Sequence, residues 1–87
     1  MITIYSKPSC TFCDQAKALL DSRGVEFKEL ILDVGQEQDP AKTYVSVASL
    51  KEKVPTARTV PQIFKGDYHI GGYTELRQFL ESQLLNA

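Results

Sequence analysis

The chain has 87 residues, of which 43 % are hydrophobic and 24 % charged, with ten basic against eleven acidic side chains for a net charge of −1. That length bounds it to one domain, 1–87, and the composition is that of a folded globular chain. The charge balance argues against nucleic acid or an anionic membrane as a partner, and no apolar run approaches the roughly 20 residues of a membrane span.

Residues 1–5 read as a strand, with Ile2 and Ile4 on one side and Thr3 and Tyr5 on the other. Ser6-Lys7-Pro8-Ser9 ends it, and a helix is expected from about Thr11 or Phe12. Cys13, Ala16, Leu19 and Leu20 recur at helical spacing, Arg23 lies in the last turn, and Gly24 stands where a left-handed cap is wanted. Residues 25–32 form a second strand, whose Leu30-Ile31-Leu32 run suggests cover on both faces. Residues 33–39 read as a loop. Asp39-Pro40 then predicts a helix start, with the helix running over 41–53 and Tyr44, Val47, Ala48 and Leu50 toward the core. Its β-branched Thr43, Val45 and Val47 oppose that assignment, and Val54-Pro55 should end the helix. Residues 62–65 and 68–70 form a hairpin about Gly66-Asp67. Gly71-Gly72 breaks the second strand, and Thr74 is expected to cap a last helix with the stripe Leu76, Phe79, Leu80 and Leu84. The order implies an α/β fold: a four-stranded mixed sheet with three helices, its first two strands parallel across a right-handed crossover.

Both cysteines lie in Cys10-Thr11-Phe12-Cys13, between a strand and a helix. A bond between them closes almost no loop, so the pair reads as chemistry and not as scaffolding. The free N–H groups and positive dipole end of a helix favour an anion at Cys10, and Lys7 can add a positive charge. A lowered Cys10 pKa follows, with Cys13 one turn further in as the less exposed, resolving thiol. A zinc site is the competing reading. Zinc takes about four ligands, however, and only His69 remains as a partner. Two inert buried cysteines are disfavoured by the polar Ser9 and Thr11. The N-terminus lacks a basic stretch followed by an apolar one, so a cytoplasmic setting is the expectation. Thr59-Val60-Pro61 is a second centre, just before a strand. Read alone, it is an edge-strand entry.

Three blocks in order carry a family resemblance. The first is Tyr5-Ser6-Lys7-Pro8-Ser9-Cys10-Thr11-Phe12-Cys13 with Ala16-Lys17-Ala18-Leu19-Leu20. The second is Thr59-Val60-Pro61-Gln62-Ile63-Phe64 and the third His69-Ile70-Gly71-Gly72-Tyr73-Thr74. Over nearly its whole length the chain resembles the dithiol glutaredoxins of the thioredoxin superfamily. The resemblance implies a thioredoxin-like fold, a cis Pro61 close to Cys10, and glutathione as reductant and co-substrate with no metal. It implies that Val60 pairs with the backbone of bound glutathione, beside Arg58, Thr59 and Pro61. Gly72, Tyr73 and Thr74 would hold the γ-glutamyl carboxylate, and Phe12 would wall the groove. Lys7, helped by Arg58 or Lys42, would meet the glycine carboxylate. Thr11 stands where many of these proteins carry proline, and Phe12 where tyrosine is frequent.

The implied activity is glutathione-dependent thiol–disulfide exchange through Cys10 and Cys13. Its substrates are protein disulfides and glutathionylated proteins, with ribonucleotide reductase among the former. Separately, the near-zero net charge and the lack of an obvious sticky patch favour a monomer. Two other functions stay open. One is a thioredoxin-like redoxin reduced by a flavoprotein reductase; the other is a glutathione-assisted iron–sulfur carrier. A redox-inert adaptor would need an unreactive Cys10. His69 reads as a strand-end surface residue, and Lys51-Glu52-Lys53 as a solvated helix face.

Overall fold

The computed structural model describes residues 1–85, with side chains through Ser82. Eight elements follow in chain order: β1 (Ile2–Ser6), α1 (Thr11–Ser22), β2 (Phe27–Leu32), β3 (Tyr44–Val45), α2 (Val47–Lys53), β4 (Gln62–Lys65), β5 (Tyr68–Gly71) and α3 (Tyr73–Leu85). The strands form one sheet in the order β3-β2-β1-β4-β5. β1 pairs in parallel with β2 and antiparallel with β4, so the strand leading to the cysteines lies at the sheet's centre.

Alternation along the strands divides the core in two. Ile2, Ile4 and Ile63 face α1 and α3, where they meet Ala16, Leu20, Leu76 and Leu80. Tyr5, Leu32 and Phe64 face the other way, against Leu50, Val54 and Ala57. The expected stripe on α3 holds for Leu76, Phe79 and Leu80; the Leu84 side chain lies outside the described residues.

The end of α1 is fixed by hydrogen bonds as the sequence suggests. Gly24 has φ 66°, its N–H donates to the Asp21 carbonyl at 3.1 Å, and the Val25 N–H donates to the Leu20 carbonyl at 3.0 Å. This is the Schellman closure, and Val25 packs on the cluster that holds Leu20. Because Val25 is used there, the second strand starts at Phe27 and not at 25.

The segment after β2 departs from the sequence reading. No helix starts at Asp39-Pro40. The Asp39 carboxylate instead accepts from the Ala41 N–H at 2.9 Å and makes a turn. The chain then extends, and the Ile31 and Asp33 N–H groups donate to the Thr43 and Val45 carbonyls at 2.9 and 2.8 Å. Tyr44 and Val45 thus form a short strand, with the branched Val45 in the extended backbone it favours, which adds a fifth strand to the expected four. Ser46 is the true cap of α2, its Oγ accepting from the Ser49 N–H at 3.1 Å. Of the four core contacts expected here Leu50 is buried, Tyr44 half-buried, and Val47 and Ala48 exposed.

Candidate active site

β1 ends under the N-terminus of α1, and the turn between them is tight. Ser9 holds φ 57°, a left-handed value rare outside glycine, immediately before the first cysteine. Cys10 is the N-cap of α1: its backbone is extended, its carbonyl accepts from the Asp14 N–H at 3.1 Å, and its Sγ accepts from the Cys13 N–H at 3.2 Å. The sulfur therefore takes the place a serine or aspartate oxygen fills in an ordinary cap. Cys13, one turn on, faces the core with 1 % exposure against 9 % for Cys10, so an incoming substrate reaches Cys10 first. The two are joined as a disulfide, with their Cα atoms 5.2 Å apart.

The second centre stands directly against the first. The Val60-Pro61 bond is cis, and the Val60 carbonyl lies 3.7 Å from Cys10 Sγ. Two grooves meet at Thr59 and Val60. One, of about 290 Å³, runs between Phe12, Pro61, Gly72, Tyr73, Thr74 and Glu75. The rings of Phe12 and Tyr73 flank it with centroids 6.2 Å apart, Phe12 being 59 % exposed. The other, of about 380 Å³, is lined by Lys7, Lys51, Arg58 and the apolar Val47 and Leu50.

Glu75 organises the far end of the first groove. Its Oε1 accepts from the Gly72 N–H at 2.7 Å, and Gly72 in turn accepts the first helical bond of α3 from Leu76 at 2.9 Å. This is the glutamate half of a capping box, with Gly72 at the cap. Thr74, expected as the cap, instead lies inside the first turn. A methyl group on Gly72 would stand 3.6 Å from the Pro61 carbonyl, which shows how closely the two segments pass.

A charged cluster lies on the α1 side of the sheet. The Ser6 hydroxyl donates to Glu29 Oε2 at 2.7 Å, and Lys17 Nζ lies 2.9 Å from the same oxygen and 3.6 Å from Asp14. Burial pushes the Glu29 pKa up, but the Ser6 and Lys17 hydrogen bonds and the Lys17 charge outweigh it and leave it below the ordinary value. Burial likewise pulls Lys17 down, and Glu29 outweighs that, leaving it raised.

Most residues singled out from the sequence converge here: Phe12, Thr59, Val60, Pro61, Gly72, Tyr73 and Thr74 in one groove, Lys7 and Arg58 in the next. Lys42 does not join Arg58; it lines a neighbouring polar hollow with Lys17 and Glu29, which Lys7 also borders. Lys51, read as solvated surface, is exposed but lines the groove of Lys7 and Arg58. Glu75 was missed from the sequence; its signal, an acid three residues after Gly72, counts only once Gly72 and not Thr74 is known as the cap. Among the described residues no three His, Cys, Asp or Glu side chains gather as a metal site.

A helix-capping cysteine, a partner one turn on and a cis-proline loop beside them, carried on this sheet, define a thiol–disulfide oxidoreductase of thioredoxin-like fold. Comparison with known proteins narrows the class. The glutaredoxin family model matches residues 2–70, and the chain belongs to the glutaredoxin family. It is 42 % identical over 77 residues to glutaredoxin 1 of Rickettsia bellii, covering 86 % of this chain and 71 % of that protein. It is 41 % identical over 78 residues to the hybrid peroxiredoxin hyPrx5 of Haemophilus influenzae, covering 90 % of this chain but only 28 % of that longer protein. Among solved structures it resembles a buckwheat glutaredoxin–glutathione complex, with a TM-score of 0.69, 30 % identity, and coverage of 98 % of this chain and 73 % of that one.

Proposed function

We propose that this oxidoreductase draws its electrons from glutathione and reduces glutathionylated proteins and protein disulfides. The observation that carries the reading is the placing of Cys10 Sγ 3.7 Å from Val60, where an aromatic-walled groove meets a cationic one. Glutathione is a short peptide with a carboxylate at each end, and it enters as substrate. Its cysteinyl backbone would pair with Val60 as an added strand. Its glycine carboxylate suits Lys7, Arg58 and Lys51; its γ-glutamyl end suits the N-terminus of α3 at Gly72, Tyr73 and Thr74.

The chemistry follows from the two sulfurs. The Cys10 thiolate attacks the glutathione sulfur of a mixed disulfide; the Cys10–glutathione bond forms and the protein thiolate leaves, taking a proton from water. A second glutathione thiolate attacks the bound glutathionyl sulfur, releasing glutathione disulfide and the Cys10 thiolate. The glutathionyl group of the substrate and one free glutathione thus leave together as glutathione disulfide, and one free glutathione is consumed. With a protein disulfide, Cys10 forms the mixed disulfide, and Cys13 loses its proton and attacks Cys10 Sγ. The second substrate thiol is released and the internal disulfide seen here remains. One glutathione thiolate opens it to a Cys10–glutathione mixed disulfide with Cys13 leaving as thiol, and a second glutathione releases glutathione disulfide and the Cys10 thiolate, so two glutathiones supply the two electrons. We place this in the cytoplasm, where a glutathione pool keeps thiols reduced, and take the acting unit as a monomer. Ribonucleotide reductase is one disulfide substrate to test. The relative named a hybrid peroxiredoxin adds an oxidised peroxiredoxin as another.

The test follows NADPH consumption during reduction of a small mixed disulfide under two regenerating systems. Turnover with glutathione and glutathione reductase is expected. Turnover only with thioredoxin reductase, without glutathione, overturns the reading in favour of a thioredoxin-like redoxin.

A further inference from the structure

Gln62 and Ser6 are the buried polar residues among those described, and Gln62, 9 % exposed, follows directly on Pro61. Its side chain has two partners. Nε2 donates to the Thr59 carbonyl at 2.9 Å, and Oε1 lies 2.7 Å from His69 Nε2. A carbonyl only accepts, so the amide nitrogen must face Thr59. Oε1 therefore faces His69, and His69 must carry its hydrogen on Nε2. The arrangement is a directed chain, from His69 to Gln62 to Thr59. His69 is held in turn by its ring against Phe64, with centroids 4.9 Å apart.

We propose that His69 and Gln62 are positioning residues for the glutathione-pairing segment, an inference that rests on the function proposed above. The Thr59 carbonyl and the Val60 N–H belong to one planar peptide unit and point in opposite directions. Holding the carbonyl toward Gln62 aims the Val60 N–H away from it, as a donor for substrate backbone. Without a donor at position 69, Gln62 keeps a buried acceptor without a partner or turns over, which sets its oxygen against the Thr59 carbonyl. Either outcome releases the peptide plane. Cys10 is untouched, so the loss falls on binding and not on chemistry.

The test uses the full chain with the mixed disulfide of glutathione and 2-mercaptoethanol as probe. His69→Phe keeps an aromatic ring for Phe64 and removes only the donor; Gln62→Met removes the whole link. Both are expected to raise KM about 5- to 10-fold, the loss of one substrate hydrogen bond, with kcat and the pH profile of Cys10 alkylation unchanged. His69→Gln, which restores an N–H, is expected to bring KM back toward wild type. The NMR order parameter of the Val60 amide supplies a readout independent of glutathione and should fall in the first two variants only. Wild-type KM and an unchanged Val60 order parameter in both variants overturn the proposal. A wild type that does not turn over glutathione overturns the function proposed above, and the Val60 order parameter then decides the positioning role by itself.

Discussion

At the scale of single residues, the two sulfurs are separated by geometry into different tasks. Cys10 caps a helix with its sulfur beside Val60, while Cys13 is buried one turn further in. Cys13→Ser is expected to keep reduction of glutathionylated substrates and to lose reduction of protein disulfides, and Cys10→Ser to lose both. Equal activity of Cys13→Ser on the two substrate classes would contradict this division. Glu29 makes a pH prediction. Its pKa falls on folding, so the stability it adds is complete above its ordinary value of 4.5 and is lost as pH drops through the lower folded value. Glu29→Gln should therefore cost about 1 kcal/mol at pH 7, discounted for partial exposure, and little in acid well below pH 4.5. Urea denaturation at both pH values measures the gap; a gap of equal size at each would refute it. The cysteine pair was legible in the sequence because its members are neighbours along the chain. Gln62 was not, since its role depends on which way one backbone carbonyl turns, and no residue spacing encodes that.

Elements fail or succeed at their ends. Gly24 closes α1 at φ 66°, and a methyl group there would meet nothing within 4 Å. Gly24→Ala therefore isolates the backbone term and should cost about 1 kcal/mol, read as a lower melting temperature with an unchanged spectrum. A neutral effect would mean the closure relaxes at no cost. The same logic explains where the sequence misled. Asp39-Pro40 and Ser46 both carry capping chemistry, seven residues apart, and the first drew the assignment. Which one nucleates a helix is decided by β2, whose Ile31 and Asp33 N–H groups need the Thr43 and Val45 carbonyls. A strand of two residues is too short to show a period of two, so β3 left only the β-branched residues as its trace. Ser46→Ala should cost about 1 kcal/mol by loss of the real cap, whereas Asp39→Ala should cost little of α2. Helicity measured at 222 nm on partial unfolding distinguishes the two.

For the whole molecule, the sheet is the common wall of two small cores. Leu20 is fully buried among Ile4, Ala16, Leu76 and its neighbours. Leu20→Ala is expected to cost about 2–5 kcal/mol, a large share of the 5–15 kcal/mol typical of a native domain. A cost under 1 kcal/mol in urea would show that the face repacks. Apart from β3 and the start of α2, the strand–helix order was readable from apolar periodicity, as was the core face of α1 and α3; the way three distant blocks meet at Cys10 was carried by resemblance. Their meeting has a thermodynamic consequence. The Cys13 N–H that points at Cys10 Sγ interacts far more strongly with an anionic sulfur than with half of a disulfide. Folding and electron uptake are then two legs of one cycle, and whatever the folded chain gives the thiolate it returns as a more oxidising couple, about 30 mV for each 1.4 kcal/mol. The bond that starts α1 at Cys10 therefore also sets how tightly this small fold holds its two electrons.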